Sequence, residues 1–320
     1  MKLQRLALAA AGAGMLAATA ASGPAVASAQ TDPTPSWSTK IAAKLKPQSK
    51  AAASVSEACV SWVGWPTATG TVVDADVTAG KPPTAVTYDP FTFTGVRTSA
   101  TWYGAVNASG TQYYFYGLFL QGGNLYRHTT YLPDDKPPVP TFKRIGSGWT
   151  SFKTIATSNY SIAQPRHAYL YALNSNGYLY RYAQKGAAFS ALGKFGGFRS
   201  FKAMAVISES ATYDTLLMTT TGGALYTIHI PVTATAKPVV KLIRSTGFAA
   251  YESLVVQGCG TRGGSLVVGV DHDTDSGYQY AFSKANGTKT AITAYGKAPA
   301  VFDGVSHVSF TTHYDQLVGE

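Results

Sequence analysis

A short loop, Gly146-Ser147-Gly148-Trp149, combines a large aromatic ring with small and polar neighbours. A pyranose offers an apolar face to an aromatic ring and hydroxyl groups to fixed polar atoms, so this loop has the chemistry of a carbohydrate site. Phe198 and Phe248 occupy the corresponding positions in later copies of the same pattern, and we interpret them as further binding residues. The alternative is that Trp149 and its counterparts only pack between structural units.

Three carboxylates, Asp271, Asp273 and Asp275, stand at alternate positions of one predicted turn. Calcium prefers oxygen clusters of this kind, so the turn is a candidate calcium site. However, Gly277 falls one place later than an EF-hand loop requires, and no Glu stands at the twelfth position. A solvated acidic turn is the alternative interpretation, and we expect no other cofactor.

The remaining titratable residues match no familiar catalytic pattern. Glu209, Asp214 and Glu252 lie near predicted strands, but their spacing does not pair them as a glycosidase pairs its two carboxylates. The six histidines are scattered singly, and the chain has no Gly-x-Ser-x-Gly sequence and no phosphate-binding loop. We therefore predict that the protein is not an enzyme, with a hydrolase as the rival class.

The chain has two cysteines, Cys59 and Cys259. In an exported protein an even pair predicts a disulfide more readily than a reactive thiol, and two cysteines alone cannot form a structural zinc site. We predict a Cys59–Cys259 disulfide that pins the two ends of the folded domain together.

The first 29 residues have the pattern of a signal peptide: Lys2 and Arg5, an apolar run, and the small residues Ala27-Ser28-Ala29. An uncleaved N-terminal membrane anchor is the alternative. Residues 30–54 form a basic segment with four lysines, which we interpret as a flexible linker or tail, although such a segment can also attract anionic polymers or a protein partner. We predict a secreted protein with its folded domain over residues 55–320.

Two sequence signatures recur along the chain with one period. A turn followed by Leu-Tyr or a similar pair begins at Gly123, Gly177, Gly223 and Gly277, at spacings of 54, 46 and 54 residues. An aromatic residue followed three positions later by a large apolar one interleaves with it, at spacings of 56, 49, 50 and 54 residues. The copies of the second signature are Phe93–Val96, Trp149–Phe152, Phe198–Phe201, Phe248–Tyr251 and Phe302–Val305. A period near fifty residues indicates a repeat architecture.

Each repeat has the pattern of about four short strands, as in the hairpin that Tyr169–Leu173 and Tyr178–Tyr182 form around an Asn/Gly turn. Four strands per fifty residues is typical of a β-propeller blade. Counting the units predicts an all-β, five-bladed propeller. Its closing blade combines the strands Gly70–Val77 and Thr84–Tyr88 with the C-terminal strands Val308–Thr312 and Gln316–Val318.

The stretch Arg144–Lys153, RIGSGWTSFK, resembles the blade signature of tachylectin-type lectins, with its Ile-Gly-x-Gly-Gly-Trp-x-x-Phe pattern and later Gly-x-Leu-Tyr turn. The resemblance implies a five-bladed propeller that binds N-acetylated hexosamines in shallow sites between blades. It assigns Gly146, Ser147, Gly148 and Trp149 to the sugar-binding loop. Phe198, Phe248 and Phe302 replace the tryptophan in other units, so the resemblance is weaker there.

The sequence therefore predicts a secreted, non-catalytic lectin for sugars such as GlcNAc or GalNAc, whose several sites would allow multivalent binding. Its expected partners are glycans on cell surfaces or cell-wall polymers, without nucleic acid and without membrane insertion. The second hypothesis is a secreted propeller that serves as a protein–protein interaction scaffold and binds no sugar.

Overall fold

The structure is a computed structural model that describes residues 59–92, 94–107, 109, 111–133, 138–259, 264–312 and 316–320. Over these residues the chain forms 21 strands and no helix. The strands are β1 (Val60–Pro66), β2 (Thr71–Thr78), β3 (Thr84–Thr92), β4 (Val96–Ser99), β5 (Trp102–Val106), β6 (Tyr113–Gln121), β7 (Asn124–Leu132), β8 (Val139–Ser147), β9 (Phe152–Tyr160), β10 (His167–Asn174), β11 (Leu179–Lys185), β12 (Ala188–Phe195), β13 (Phe201–Glu209), β14 (Tyr213–Thr220), β15 (Leu225–Pro231), β16 (Val239–Arg244), β17 (Ser253–Gly258), β18 (Gly264–Asp271), β19 (Ser276–Ser283), β20 (Ile292–Lys297) and β21 (Val308–Thr312). The predicted signal peptide and basic segment lie outside the described residues.

The strands form antiparallel meanders, as the repeated hairpin pattern predicted. Three four-stranded sheets are built from β9–β12, β13–β16 and β17–β20. A nine-stranded sheet has the order β3-β2-β1-β21-β5-β6-β7-β8, and β4 pairs with β6. We refer to its two parts as the β1–β3/β21 sheet and the β4–β8 sheet; they join where β21 pairs with β5. Successive four-stranded meanders of this kind are typical of a β-propeller. Among the described residues, no helix has the length and apolar character needed to cross a membrane.

Strand β21, near the C-terminal end, lies between the first strands of the domain. It pairs antiparallel with β1 and parallel with β5. The predicted disulfide is confirmed beside this contact: Cys59, just before β1, bonds to Cys259, just after β17, with a Cα–Cα distance of 5.6 Å. The disulfide therefore joins the β1–β3/β21 sheet to the β17–β20 sheet.

Apolar clusters fill the space between facing sheets, and each cluster draws its side chains from two sheets. In one of them Trp102 of β5 stacks on Phe310 of β21 with ring centroids 5.0 Å apart, and Trp62 of β1 meets Phe310 edge-on at 5.4 Å. The packed pairs are β1–β3/β21 with β4–β8, β4–β8 with β9–β12, β9–β12 with β13–β16, β13–β16 with β17–β20, and β17–β20 with β1–β3/β21. Each sheet thus packs against two neighbours, and the series returns to its start.

The two repeated signatures of the sequence are the two halves of one contact. The backbone N–H groups of Trp149, Phe198 and Phe248 donate to the carbonyl oxygens of hairpin glycines in the preceding sheet, at 2.9, 2.9 and 3.1 Å. Those glycines are Gly123, Gly177 and Gly223. The aromatic signature is therefore the turn that leads from one sheet into the next, fastened to the hairpin behind it.

This contact explains two of the hairpin glycines. Gly177 and Gly223 have φ values of 87° and 85°, in the left-handed region that favours glycine. A Cβ atom at either position would also approach the next turn within about 3 Å, at Arg199 and Ala249 respectively. The close approach and the backbone conformation together require glycine.

The C-terminal segment differs from the prediction. Gln316–Val318 was expected to form an inner strand of the closing blade, but these residues form no strand of the β1–β3/β21 sheet. Instead the Glu209 N–H donates to the Leu317 carbonyl at 2.9 Å, and the Gly319 N–H donates to the Ile207 carbonyl at 3.0 Å. The segment thus continues along the end of β13, where unpaired backbone groups were available to it.

Candidate functional site

A cavity of about 350 Å³ lies between the β4–β8 and β9–β12 sheets. We call it the inter-sheet cavity. It is lined from one side by β5, β6 and β7, and from the other by the end of β9 and by β10, β11 and β12. Its volume falls within the range of small-molecule sites, which begins at about 300 Å³.

Aromatic rings form much of the wall. Tyr114 and Tyr116 alternate with Phe115 along β6, so the two tyrosines share the cavity face while Phe115 is fully buried on the opposite face. Tyr103 of β5 stacks on Tyr116 with ring centroids 5.7 Å apart. Tyr169 of β10 lines the opposite wall. Tyrosine rings therefore stand on both sides of the space.

The polar groups of the cavity are nearly all uncharged. The side chains of Asn159 and Gln184 line it, and the hydroxyl of Thr157 is buried without a hydrogen-bond partner among the described residues. The exception is Arg127 of β7, a partly buried guanidinium with no ion-pair or hydrogen-bond partner in the described part of the chain. Burial lowers the pKa of Arg127 from its ordinary value, but an arginine guanidinium stays cationic in proteins. No Asp, Glu or His side chain is among the described residues that line the cavity.

The corresponding groove between the β9–β12 and β13–β16 sheets is closed by Arg181, which occupies the repeat position of Arg127. Arg181 follows Gly177-Tyr178-Leu179-Tyr180 as Arg127 follows Gly123-Asn124-Leu125-Tyr126. Its guanidinium crosses to the β13–β16 sheet, donates to the carbonyl oxygens of Pro231 and Thr233 at 2.6 and 2.7 Å, and is 2% exposed. The same repeat position therefore bridges two sheets in one groove and faces a cavity in the other.

The next groove, between the β13–β16 and β17–β20 sheets, is occupied by the C-terminal residues 316–320. In addition to the backbone bonds to β13, the Glu320 carboxylate lies 2.6 Å from Nδ1 of His229 and accepts a hydrogen bond from the Thr215 hydroxyl. Ala285, after β19, donates its N–H to the Gly319 carbonyl at 2.6 Å. Two grooves that correspond to the inter-sheet cavity are thus filled by the protein itself.

A buried acidic cluster lies behind the cavity wall. Asp214 accepts hydrogen bonds from the Ser158 hydroxyl at 2.6 Å and the Tyr171 hydroxyl at 2.8 Å, and its other oxygen lies 2.9 Å from Nε2 of His167. Glu209, opposite Asp214 in the β13–β14 register, accepts the Asn159 N–H at 3.0 Å. The sequence spacing did not pair these carboxylates, but the hairpin does. Neither carboxylate lines the cavity. Their hydrogen bonds to Ser158 and Asn159 hold the end of β9, which forms part of the cavity wall, in place from behind.

Burial, followed by the neighbouring Asp214 carboxylate, raises the pKa of Glu209 to about 8, against the opposing effect of the Asn159 N–H. Between pH 4.5 and 8 the unfolded chain has lost this proton and the folded chain retains it. We therefore expect Glu209 to make the free energy of unfolding fall as the pH rises through this window, by up to about 1.4 kcal/mol per pH unit.

The measurement is chemical denaturation of the wild type and Glu209→Gln between pH 5 and 9. Glutamine retains an oxygen acceptor for the Asn159 N–H and cannot ionise, so the variant should gain stability relative to wild type as the pH rises. Parallel pH profiles for the two proteins would contradict the assignment.

The structure buries the aromatic residues that the sequence assigned to sugar binding. Trp149, Phe198 and Phe248 are 6%, 3% and 6% exposed. Trp149 packs on Phe152 with ring centroids 4.6 Å apart, and also on Tyr182. These rings occupy the space between adjacent sheets, and their burial favours the packing alternative at these positions.

The other members of the predicted loop surround Trp149. Ser147 and Gly148 are exposed, and Gly146 lies so close to the indole that a Cβ would stand 2.8 Å from Nε1. The loop lies at the start of β9, whereas the inter-sheet cavity lies at the end of that strand. The structure therefore does not bring Gly146, Ser147 or Gly148 to the cavity.

The three aspartates of the candidate calcium site lie in or next to the β18–β19 hairpin. The described residues contain no group of three or more His, Cys, Asp or Glu side chains arranged to hold a metal ion, so the structure does not bring Asp271, Asp273 and Asp275 together. The Asp271 carboxylate instead accepts the Asp273 N–H at 3.0 Å, and Asp275 has a positive φ of 49°. Local turn hydrogen bonding explains these residue types.

Five cavity residues carry no motif that singles them out in the sequence: Tyr114, Tyr116, Arg127, Asn159 and Tyr169. The signal available was the run Tyr113-Tyr114-Phe115-Tyr116, because alternate tyrosines on one strand face the same side. Nothing in that run indicates that the neighbouring sheet leaves a cavity there.

No family model matches the chain, and no curated protein matches it. Solved structures do match. The catalytic domain of the Coprinopsis cinerea GH62 alpha-L-arabinofuranosidase is 12% identical, with 75% of each chain covered and a TM-score of 0.45. The SapL1 lectin in complex with alpha methyl fucoside is 11% identical over 74% of this chain and 79% of that one, with a TM-score of 0.38. The Aleuria aurantia lectin in complex with Fucalpha1-6GlcNAc is 13% identical over 74% and 78%, with a TM-score of 0.39. The resemblance to tachylectin-type lectins remains a prediction.

Proposed function

We propose that this protein is a non-catalytic carbohydrate-binding protein whose sugar site is the inter-sheet cavity. The observation that carries the proposal is the lining of that cavity: tyrosine rings on both walls, amide and hydroxyl groups between them, and no carboxylate among the described residues that line it. Sugars are held by aromatic rings against their C–H faces and by fixed donors and acceptors for their hydroxyls.

N-acetylated hexosamines, as implied by the tachylectin-type resemblance, are the proposed ligands. An acetamido group has an apolar methyl and an amide, and the cavity offers the matching chemistry. Ala105, Leu118 and Ala168 supply apolar surface, while Asn159 and Gln184 supply amide partners.

Binding without catalysis is part of the proposal. Glycoside hydrolysis requires two carboxyl groups on either side of the scissile bond. Glu209 and Asp214 are the nearest buried pair, but Asp214 already accepts Ser158 and Tyr171 and lies close to His167, while Glu209 accepts the Asn159 N–H. Their oxygens are turned into the protein, which supports a structural role for the pair.

The architecture proposed for this function is a five-bladed propeller with the blade β21-β1-β2-β3 shared by both ends of the domain, in an exported protein. The closed series of packed sheets supports the ring, and the Cys59–Cys259 disulfide supports an oxidising compartment. Because two corresponding grooves are filled by Arg181 and by residues 316–320, we propose fewer sugar sites than the five that the repeat suggested, with the inter-sheet cavity as the site that the lining supports.

The experiment is a binding screen of the protein on a glycan array containing GlcNAc, GalNAc, chitin fragments and fucosides. Tyr114→Ala and Arg127→Ala are compared with Tyr178→Ala, a partly exposed tyrosine away from the cavity. We expect each cavity variant to lower affinity about tenfold, or about 1.4 kcal/mol, and Tyr178→Ala to have no effect. Array silence at high ligand density would refute the lectin and favour the protein-interaction scaffold.

A further inference from the structure

A second cavity, of about 210 Å³, lies at the opposite end of the inner strands. We call it the inner-strand cavity. It is lined by the first residues of β4, β9, β13 and β17 and by the segment that precedes β21. It is separate from the inter-sheet cavity, because one lies at the start of β9 and the other at its end.

The repeat places one polar residue at this cavity from each unit. The residue immediately after the apolar member of the aromatic signature lines the cavity in all five copies. These residues are Arg97, Lys153, Lys202, Glu252 and Ser306. Because the same position recurs around the sheets, three cations and one carboxylate converge on one small space.

The positive charge of the cavity is incompletely balanced by the described residues. Lys202 forms an ion pair with Glu252 at 2.6 Å. The Arg97 guanidinium donates to the carbonyl oxygens of Gly122 and Trp149, which orient it but carry no net charge. Lys153 is exposed and has no ion-pair partner in the described part of the chain. Two positive charges therefore remain, a balance that favours an anion.

His307 supplies an independent indication of a ligand. Its side chain lines the inner-strand cavity and is 5% exposed, yet neither ring nitrogen makes a well-formed hydrogen bond with any described residue. An unsatisfied buried imidazole is costly unless a bound group completes its hydrogen bonding. The Ser306 hydroxyl lies in the same lining; its oxygen accepts the Ser99 N–H at 2.9 Å, which leaves its O–H as a further donor.

We propose that the inner-strand cavity binds a tetrahedral oxyanion, phosphate or sulfate, either free or as a monoester. Lys153 and Arg97 supply the charge, His307 donates a ring N–H, and the Ser306 hydroxyl completes the contacts. The Lys202–Glu252 pair sets the edge of the site, with Glu252 also fixed by the His272 N–H at 3.1 Å. This site does not depend on sugar binding in the inter-sheet cavity.

The test is calorimetric titration of the full chain at low ionic strength with inorganic phosphate, with sulfate, and separately with glucose 6-phosphate. Lys153→Glu is compared with Lys284→Glu, which makes the same charge change on an exposed lysine outside the cavity. We expect saturable phosphate binding that Lys153→Glu weakens at least about tenfold and Lys284→Glu leaves nearly unchanged. Binding of glucose 6-phosphate as well as phosphate would assign a monoester, and phosphate alone a free anion.

A second readout is independent of any variant. Phosphate should shift the ring nitrogen resonances of His307 in the wild-type protein, because it completes their hydrogen bonding. Absence of saturable binding to phosphate and sulfate at millimolar concentration would overturn the proposal. Equal weakening by Lys153→Glu and Lys284→Glu would also overturn it, since that result belongs to net charge and not to a site.

Discussion

Replacing Trp149 by alanine is expected to lower the free energy of unfolding by about 3–5 kcal/mol and to leave the sugar affinity of the folded protein unchanged. The indole is 6% exposed and packs on Phe152 and Tyr182, so its removal leaves a cavity between the β4–β8 and β9–β12 sheets. Its backbone N–H bond to Gly123 is retained in the variant, so the loss comes from the side chain alone.

The measurement is chemical denaturation, followed by sugar titration under conditions where the variant is folded. Trp149→Phe is the matched control, because phenylalanine stands at the corresponding positions 198 and 248 and fills the same kind of space. We expect the control to recover most of the lost stability. A stable Trp149→Ala protein that no longer binds sugar would show instead that the loop is the binding site.

The second large effect is expected from removing the disulfide. Cys59 and Cys259 are separated by 200 residues, and in the chain-entropy treatment a cross-link of this span stabilises a protein by about 5 kcal/mol. The bond also joins the β1–β3/β21 sheet to the β17–β20 sheet, so its loss weakens the point where the series of sheets closes. The double variant Cys59→Ser/Cys259→Ser should therefore unfold at much lower denaturant concentration.

Equilibrium denaturation of the oxidised wild type, the reduced wild type and the double variant tests this expectation. The reduced protein and the variant should coincide, because both lack the same constraint. An unchanged midpoint in the double variant would mean that packing alone closes the series of sheets.

The strands and hairpins could be predicted because each repeat contains its own strand-forming and turn residues. Tyr169–Leu173 and Tyr178–Tyr182 flank an Asn/Gly turn, and the structure pairs these segments within β10 and β11. The meeting of the C-terminal strand with the first strands of the domain followed from an incomplete final repeat, although β1, which was not among the predicted strands, lies between β21 and β2. The position of residues 316–318 did not follow, because they bond to the end of β13, an edge supplied by a sheet distant in sequence.

The candidate site was harder to predict, because repeated residues have different surroundings. Arg127 and Arg181 occupy the same repeat position, but Arg181 is satisfied by the carbonyls of Pro231 and Thr233, while Arg127 faces a cavity. The role of Trp149 was ambiguous in the sequence for a related reason: an aromatic ring between small residues suits sugar binding and sheet packing equally well. Only the packing of neighbouring sheets distinguishes the two roles.

The most direct test of a sugar site in the inter-sheet cavity is a crystal structure of the protein from crystals soaked with its best array ligand, beginning with N-acetylglucosamine. We expect a sugar in the inter-sheet cavity, between Tyr116 and Tyr169 and within hydrogen-bonding distance of Arg127 or Asn159. A sugar bound instead at the Ser147–Gly148 loop, or in another groove, would refute this site.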